Sequence, residues 1–441
     1  MQSLREEIEA LPELRRFGRV ARIEGLLVEV TGATGAISMG GQVRLTPPTG
    51  RAIPAEVVGF RDGRALTMPL GALDGMTLGA RADFEGHTAA IYPCQAWLGR
   101  ILDAFGRPTD GKGPLPQGEI AYPIKAQPPA AQSRNRIGGK LDLGIRALNA
   151  FATCCKGQRM GIFAGSGVGK STLLAMLARY SDADAIVIGL VGERGREVKE
   201  FVEDDLGERG LQRSVVVAAT SDEPPLVRRQ AAYTAMTIAG QLRDQGMHVL
   251  LLMDSVTRFA MAQREVGLSA GEPPASKGYT PTVFAELPRL LERAGPAQEG
   301  CAGSITGLFT VLVEGDDHNE PISDAVRGIL DGHIVLDRVI AERGRFPAIN
   351  ILRSVSRTMP GCNSEDEQAV VAESRKSIAV YEDMAELIRL GAYKSGTNPD
   401  VDVAVSLHPL FERFLAQRKD ERSSLTEGYQ ELGTILAGGK R

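Results

Sequence analysis

Arg159-Met-Gly-Ile-Phe-Ala-Gly-Ser-Gly-Val-Gly-Lys-Ser-Thr172 combines an apolar run, a glycine-rich turn and the start of a helical pattern. The run 160–164 predicts a strand, and the glycines at 165, 167 and 169 allow backbone N–H groups to converge on an anion. A helix predicted over Lys170–Tyr180 points the positive end of its dipole at the same place. The stretch is therefore predicted to be a phosphate-binding loop.

The residues that close this loop define its expected chemistry. Lys170 is expected to reach the β and γ phosphates of ATP, and the Ser171 hydroxyl is expected to hold Mg²⁺. The common pattern has glycine at position 164, where this chain has Ala164. A dinucleotide turn or a chance glycine-rich bend would not need lysine and serine directly after the last glycine. The predicted nucleotide-binding residues are Gly165, Ser166, Gly167, Val168, Gly169, Lys170, Ser171 and Thr172.

The composition of the 441 residues is that of a globular protein with two or three domains. A net charge of −4 gives no indication of a bulk nucleic-acid binder, and five cysteines without a C-x-x-C pair indicate reduced thiols. No apolar stretch approaches the roughly 20 residues that cross a bilayer. The first residues also lack the pattern of a secretory signal. The sequence predicts a cytoplasmic protein whose membrane association, if any, is peripheral or through partners.

The N-terminal part of the chain divides at Phe17. Residues 2–17 place leucine and isoleucine at helical spacing, which fits either a helix packed on its own domain or an amphipathic arm for a partner. Five short β-rich runs then predict a small β-barrel: Gly18–Ile23, Leu26–Thr31, Gln42–Leu45, Ala55–Phe60 and Ala65–Met68. A barrel of this kind can bind oligonucleotides, but its aromatics Phe17, Phe60 and Phe84 are few and scattered, so a stacking platform is poorly supported.

Beyond a Pro- and Gly-rich connection at 106–139, continuous β-branched runs alternate with helical patterns. This alternation predicts an α/β domain with a mostly parallel sheet that is buried on both faces. Ligands bind at the carboxyl ends of such strands. The predicted strands after the loop are Ala185–Val191, Ser214–Ala219, Val249–Met253 and Ile305–Val313.

Two of these strands end in carboxylates. Asp254 follows the run 249–253 and fits the acid that holds Mg²⁺ through its hydration shell. Glu193 follows the run 185–191 and is a candidate to orient and deprotonate an attacking water. For each carboxylate the alternative is a helix cap or a surface acid, which is common after a strand. The phosphate loop favours the catalytic interpretation of Asp254 strongly, whereas spacing alone favours that of Glu193 only weakly.

Five longer motifs resemble the F-type and V-type rotary ATPase superfamily, and within it the type III protein-export ATPases, most of all their flagellar branch. They begin at Gly192, Leu251, Gly271, Glu314 and Ser354, and include Gly192-Glu-Arg-Gly-Arg-Glu197 and Ser354-Val-Ser-Arg357. The resemblance extends from the barrel to the C-terminal helices. It implies a RecA-like P-loop ATPase core, and this branch also tolerates alanine at position 164.

The resemblance assigns roles to individual residues. It makes Lys170 the phosphate clamp, Ser171 and Asp254 the magnesium residues, and Glu193 the catalytic carboxylate. It places Arg194 and Arg258 near the γ-phosphate. Arg357 matches an arginine finger that acts from a neighbouring subunit. Since one chain carries both the finger and the carboxylate, a homohexameric ring is expected, in which an isolated monomer is a poor ATPase.

The function that the resemblance implies is Mg-dependent ATP hydrolysis that energises chaperone release, unfolding and export of proteins through a flagellar apparatus. The implied partners are stator or regulator proteins, central-stalk-like proteins, export-gate membrane proteins, secreted substrates and their chaperones, which would hold the chain at the inner membrane. No nucleic-acid partner is expected. A virulence-type injectisome ATPase remains an alternative, as do an RNA-translocating hexameric helicase and a non-hydrolysing regulatory subunit.

The expected domains are an N-terminal helical arm at 1–16, the barrel at 17–95, the ATPase core at 96–365 and a C-terminal helical domain at 366–441. Three helices are predicted in the last of these: Gln368–Leu390, Leu410–Lys419 and Ser424–Leu436. Their leucines and phenylalanines are expected to form core rather than an effector site: Leu387, Leu390, Leu410, Phe411, Phe414 and Leu415.

Overall fold

The computed structural model describes residues 16–438 except 33–34, 36, 86–88, 314 and 316–319. The arm predicted at 1–16 therefore lies, apart from Arg16, outside the described residues. All five cysteines are free thiols. None of the helices in the described part of the chain is both long enough and apolar enough to cross a membrane.

The N-terminal strands close into a barrel in the order β1-β2-β5-β4-β3-β6. Every neighbouring pair is antiparallel. Side chains that alternate inward, such as Val28, Val30, Val43 and Leu45, fill the interior and are at most 1% exposed. The period of two in β3 is what delivers valine and leucine to one face. The predicted β-barrel is confirmed. Its strands are Phe17–Glu24, Leu27–Thr31, Gln42–Thr46, Ile53–Arg61, Arg64–Pro69 and Arg81–Phe84.

The remaining chain forms a large α/β unit followed by helices. The strands β7 to β19 are Ala90–Ile91, Arg100–Leu102, Tyr122–Pro123, Lys140–Leu141, Cys154–Cys155, Arg159–Ala164, Ala185–Glu193, Ser214–Thr220, His248–Asp254, Gly295–Pro296, Ser304–Leu312, Gly332–Leu336 and Ile349–Ser356. The helices α1 to α13 are Arg146–Phe151, Lys170–Tyr180, Gly195–Glu200, Gly207–Gln212, Pro225–Asp244, Val256–Ala270, Pro281–Leu291, Pro321–Ile329, Arg338–Glu342, Met359–Cys362, Glu365–Arg389, Pro399–Leu415 and Leu425–Gly438. A π-helical segment, Phe201–Leu206, joins α3 to α4.

The central sheet has the order β19-β18-β12-β17-β15-β13-β14-β8, with β16 paired to β17 outside this path. The strands from β18 to β8 are parallel, whereas β19 runs antiparallel to β18. One face packs against α2 and the C-terminal helices, and the other against α5, α6 and α7. Because both faces are covered, strands such as β13 are apolar at nearly every position. The predicted parallel α/β core is confirmed.

The C-terminal helices depart from the sequence prediction in two respects. The second helix spans Pro399–Leu415 rather than Leu410–Lys419, because Asn398 caps its start and proline is favoured in its first turn. Leu387 and Leu390, expected in the core, are 45% and 70% exposed at the end of α11. The expected core residues Phe411, Phe414 and Leu415 are buried, and Leu410 packs against them.

Candidate active site

The phosphate-binding loop occupies the turn between β12 and α2, at the carboxyl edge of the sheet. Gly167 and Gly169 have φ angles of +76° and +90°, a left-handed conformation that glycine adopts without a steric penalty. Gly169 caps α2, so the first N–H groups of this 11-residue helix face the loop. The loop therefore offers backbone donors and a positive helix end to an anion.

The two carboxylates predicted after β15 and β13 meet at the lysine of this loop. Lys170 Nζ donates to Asp254 Oδ1 at 2.5 Å and to Glu193 Oε1 at 3.4 Å. All three side chains are largely buried, with exposed fractions of 13% for Lys170, 13% for Glu193 and 5% for Asp254. The order β12-β17-β15-β13 explains the meeting, since the carboxyl ends of parallel strands lie at one edge.

The charges at this edge change one another's protonation. Burial opposes the charge on Lys170, but the nearby carboxylates of Asp254 and Glu193 outweigh it and raise the pKa of the ammonium. Burial raises the pKa of Glu193, and the neighbouring Asp254 raises it further against the opposing effect of Lys170. A carboxylate with a raised pKa is a better proton acceptor, which suits general-base chemistry.

A threonine that the sequence analysis missed completes this cluster. The Thr310 hydroxyl, fully buried on β17, donates to Asp254 Oδ1 at 2.6 Å. Oδ1 thus accepts two hydrogen bonds, one from Thr310 and one from Lys170. The feature of the sequence that could have pointed to Thr310 is a polar residue near the carboxyl end of an apolar strand. In the sheet, this end of β17 lies in register with the end of β15.

The loop opens into a cleft of about 880 Å³ that also contains two of the predicted arginines. Arg194 lies at its rim, 76% exposed, and pairs with Glu197 at 3.3 Å. Arg258, from α6, lines the wall. Gly192 permits its approach, because a Cβ there would lie 3.1 Å from Arg258 Cβ. Arg338, at the start of α9, also lines the cleft and was not predicted.

The donor set of this cleft fits a nucleotide with Mg²⁺. Ser171 lines the cleft beside the first turn of α2, and Asp254 supplies a buried carboxylate. Hydroxyl and carboxylate oxygens are the ligands that Mg²⁺ prefers. The Lys170 ammonium and the backbone donors of the loop complement phosphate oxygens.

Arg357 lies at the other edge of the sheet, outside this cleft. Since β19 is antiparallel to β18, its last residue, Ser356, pairs with the first residue of β18. The Arg357 N–H donates to the carbonyl of Asp331 at 2.9 Å, and the Asp331 N–H donates to the carbonyl of Arg159 at 2.8 Å. Arg357 thus lies near Arg159, the first residue of β12, whereas the phosphate loop follows Ala164, the last residue of β12. At 3.3 Å per residue, the two ends of this strand are about 16 Å apart.

Comparison with known proteins identifies the family. Residues 144–356 match the ATP synthase alpha/beta family, nucleotide-binding domain, and residues 363–434 match the EscN ATPase C-terminal domain of type III secretion. The flagellum-specific ATP synthase of Caulobacter vibrioides is 58% identical over 99% of both chains. The chain belongs to the flagellar and type III secretion ATPases.

Further relatives of this ATPase agree with that assignment. The type 3 secretion system ATPase of Xanthomonas euvesicatoria is 44% identical, over 98% of this chain and 97% of that one. The assembled ATPase EscN of enteropathogenic E. coli has a TM-score of 0.87 at 41% identity, covering 95% of this chain and 100% of that one. A second EscN structure holds its central stalk EscO and superposes equally well. The resemblance inferred from the sequence motifs and the ATPase core are therefore confirmed.

The ATPase has an apolar pocket beside its phosphate loop that sequence reasoning did not find. This cavity of about 420 Å³ shares Gly169 and Thr172 with the loop, and it is otherwise formed by Leu173 and Met176 of α2 and by two distant segments. The Phe346 ring lies 3.4 Å from where a Cβ on Gly169 would be. Pro347 and residues 416–421, between α12 and α13, complete it. No local pattern joins these segments in the sequence.

Proposed function

We propose that this ATPase hydrolyses Mg-ATP as a homohexameric ring whose catalytic sites each combine residues of two subunits. The observation that carries this proposal is the separation within one chain of Glu193, in the cleft, from Arg357, at the opposite edge of the sheet. An arginine finger placed there serves only a neighbour's site. Rings of identical subunits satisfy this geometry at every interface.

The residues of the cleft take distinct roles in this reaction. Lys170 and the backbone N–H groups of 165–172 bind the phosphates, and Ser171 and Asp254 hold Mg²⁺, which when bound neutralises charge on the phosphates. Glu193 orients a water and accepts its proton, to which its raised pKa is suited. Arg194 and Arg258 stabilise charge on the γ-phosphate from the same subunit, and Arg357 does so from the next.

The apolar pocket beside the loop is the proposed position of the adenine. It adjoins the loop through Gly169, and its Phe346 ring offers a face on which a base stacks. Its walls come from the core and from the segment that joins α12 to α13. Nucleotide binding would therefore join the core to the C-terminal domain.

The proposed use of hydrolysis is release of chaperones, unfolding and export of proteins by a flagellar apparatus. The 58% identity to a flagellum-specific ATP synthase, against 44% to a type 3 secretion system ATPase, favours the flagellar system over an injectisome. The EscN–EscO complex supports a central-stalk partner. Stator or regulator proteins, export-gate proteins and secreted substrates with their chaperones are the other proposed partners, holding the chain at the inner membrane.

Hydrolysis as a function of protein concentration tests the shared site. The specific activity of the wild type is expected to rise steeply as the ring assembles, with sedimentation velocity reporting the ring. Arg357→Ala should form the ring with little gain in activity. Equal specific activity for monomer and ring would overturn the proposal, and hydrolysis that requires added RNA would favour a helicase.

The export role is tested in cells that carry Glu193→Gln in place of the wild-type copy. Loss of flagellar rod and hook proteins from the culture supernatant is expected. Loss of needle and effector proteins instead would assign the chain to an injectisome. Normal secretion with undiminished motility would contradict an export function.

A further inference from the structure

The side-chain amide of Gln158 is fully buried, and both its oxygen and its nitrogen make hydrogen bonds. Its Oε1 accepts from the Cys155 N–H at 2.9 Å and from the Thr358 hydroxyl at 2.8 Å. Its Nε2 donates to Ser356 Oγ at 3.0 Å and to the carbonyl of Asp331 at 3.2 Å. A glutamine amide has two donor hydrogens and two acceptor lone pairs, so all four are engaged.

These bonds hold the hydroxyl side chains on both sides of Arg357. Ser356 and Thr358 are its immediate neighbours, and both bond to Gln158. The N–H of Arg357 donates to the same Asp331 carbonyl that the amide contacts. The Ser356 hydroxyl is tied further to the carbonyl of Thr153 at 2.7 Å. The segment is thus held at three consecutive residues, while the Arg357 side chain is exposed.

The amide itself is attached to a rigid base. Gln158 immediately precedes β12, which is bonded to β17 on one side and β18 on the other. Its carbonyl accepts from the Gly307 N–H of β17 at 3.0 Å. Strands in the middle of a packed sheet have little freedom to shift. The bonds of Gln158 therefore tie the position of Arg357 to β12, the strand that leads into the subunit's own phosphate loop.

We propose that Gln158 is a positioning residue for the arginine finger, holding Arg357 in the orientation that serves the next subunit's site. This inference rests on the proposed function, because it requires Arg357 to act in trans. Gln158 touches no nucleotide in its own subunit. Its loss impairs the neighbour's site while leaving its own phosphate loop able to bind.

A purely structural role for the buried amide makes different predictions. Gln158→Met removes all four bonds, and positioning predicts a fall in kcat of up to about 10²-fold with little change in the KM for ATP, since misplaced catalytic groups lose rate steeply. Thr358→Val removes one of these four bonds, together with the 3.2 Å contact between the Thr358 and Ser356 hydroxyls, and should lower kcat less, while Thr358→Ser keeps the hydroxyl and should retain activity. A structural role instead predicts lower thermal stability with kcat unchanged below the melting temperature.

Asn149→Leu is the matched control for burial. The Asn149 amide is 1% exposed and bonds to Leu143, Asp142 and Ser423, away from Arg357. Its replacement should lower the melting temperature and leave kcat intact at lower temperature. If Gln158→Met does not fold, the Thr358→Val and Thr358→Ser pair decides by the same split between kcat and KM.

Mixed rings separate the finger from the subunit's own site. Gln158→Met subunits keep an intact phosphate loop, whereas Lys170→Ala subunits keep an intact finger. Mixing the two places intact loops next to intact fingers, so ATPase activity should exceed the sum of the separate samples. Arg357→Ala mixed with Lys170→Ala is the reference and should recover in the same way.

The outcomes distinguish this inference from the proposed function. Recovery in the reference mixture without recovery in the Gln158→Met mixture would show damage to the subunit's own site and overturn the positioning role. Failure of the reference mixture would overturn the finger in trans, and with it the role of Gln158. Recovery in both mixtures, with the split between kcat and KM, supports positioning.

Discussion

Lys170 Nζ lies 2.5 Å from Asp254 Oδ1 and 3.4 Å from Glu193 Oε1, so one ammonium neutralises two buried carboxylates at the carboxyl ends of the parallel strands. A bound triphosphate would compete with both acids for this charge. In the proposed function, the lysine is therefore a structural counter-ion before nucleotide binds and a phosphate ligand afterwards.

Lys170→Met should destabilise the nucleotide-free protein in a pH-dependent way. Two carboxylates left without their cation should lower the free energy of unfolding by about 1–3 kcal/mol near neutral pH. Since the pKa of Glu193 is raised, Glu193 takes up a proton at a higher pH than an ordinary glutamate does, and the loss should shrink toward pH 5. Denaturant unfolding of both proteins at pH 5 and pH 8 measures the difference.

The double variant Lys170→Met/Glu193→Gln provides the control for this electrostatic explanation. With one acid neutralised, replacement of Lys170 should lower the free energy of unfolding by a smaller amount. This loss should also depend less on pH. An equal loss at pH 5 and pH 8 would mean that packing rather than charge explains the effect.

Glu193→Gln should abolish turnover while retaining nucleotide. The substitution keeps the size of the side chain but removes the proton acceptor. General-base catalysis typically contributes about 10²–10⁴-fold to the rate. Affinity for a fluorescent ATP analogue should change by less than a few-fold. Comparable losses in binding and in turnover would contradict the assigned role and indicate that Glu193 mainly shapes the site.

The sequence predicted the cleft because its chemistry follows local rules. A glycine turn between a strand and a helix predicted the loop, and a parallel sheet brings Asp254 and Glu193 to the same edge. Arg357 does not follow such a rule, because its neighbours in the sequence do not distinguish it from an ordinary surface arginine. Only its match to a family motif predicted a role as an arginine finger. The bonds of Gln158 and the pocket at Phe346 depend on segments about 200 residues apart.

Phe346→Ala should weaken nucleotide binding without altering the chemical step. Loss of a stacking face is worth about 0.5–1.5 kcal/mol, or up to about tenfold in affinity. The KM for ATP should rise accordingly with kcat nearly constant, and Phe346→Tyr should retain binding. Unchanged affinity for ATP in Phe346→Ala would place the adenine elsewhere.

The junction between barrel and core contains another buried carboxylate, Glu56 of β4. Its Oε1 accepts from Arg229 of α5 at 2.8 Å and from Lys125 of the connection at 2.6 Å. Glu56 and Arg229 are 7% and 6% exposed. Burial opposes ionisation of Glu56, but the two cations outweigh it and hold its pKa below the ordinary range. The ionised carboxylate is thus favoured by folding.

Glu56→Gln should accordingly remove stability that is present only above the pKa of an unfolded glutamate. Leaving the buried Arg229 guanidinium without its carboxylate should cost about 3–5 kcal/mol at neutral pH. Because the folded pKa is depressed, the wild-type advantage is full above about pH 4.3 and is lost as pH falls below it. Asp83→Asn, which breaks the exposed barrel pair with Arg81, should cost under about 1 kcal/mol. Equal losses for the two variants would show that burial does not strengthen the Glu56 contacts.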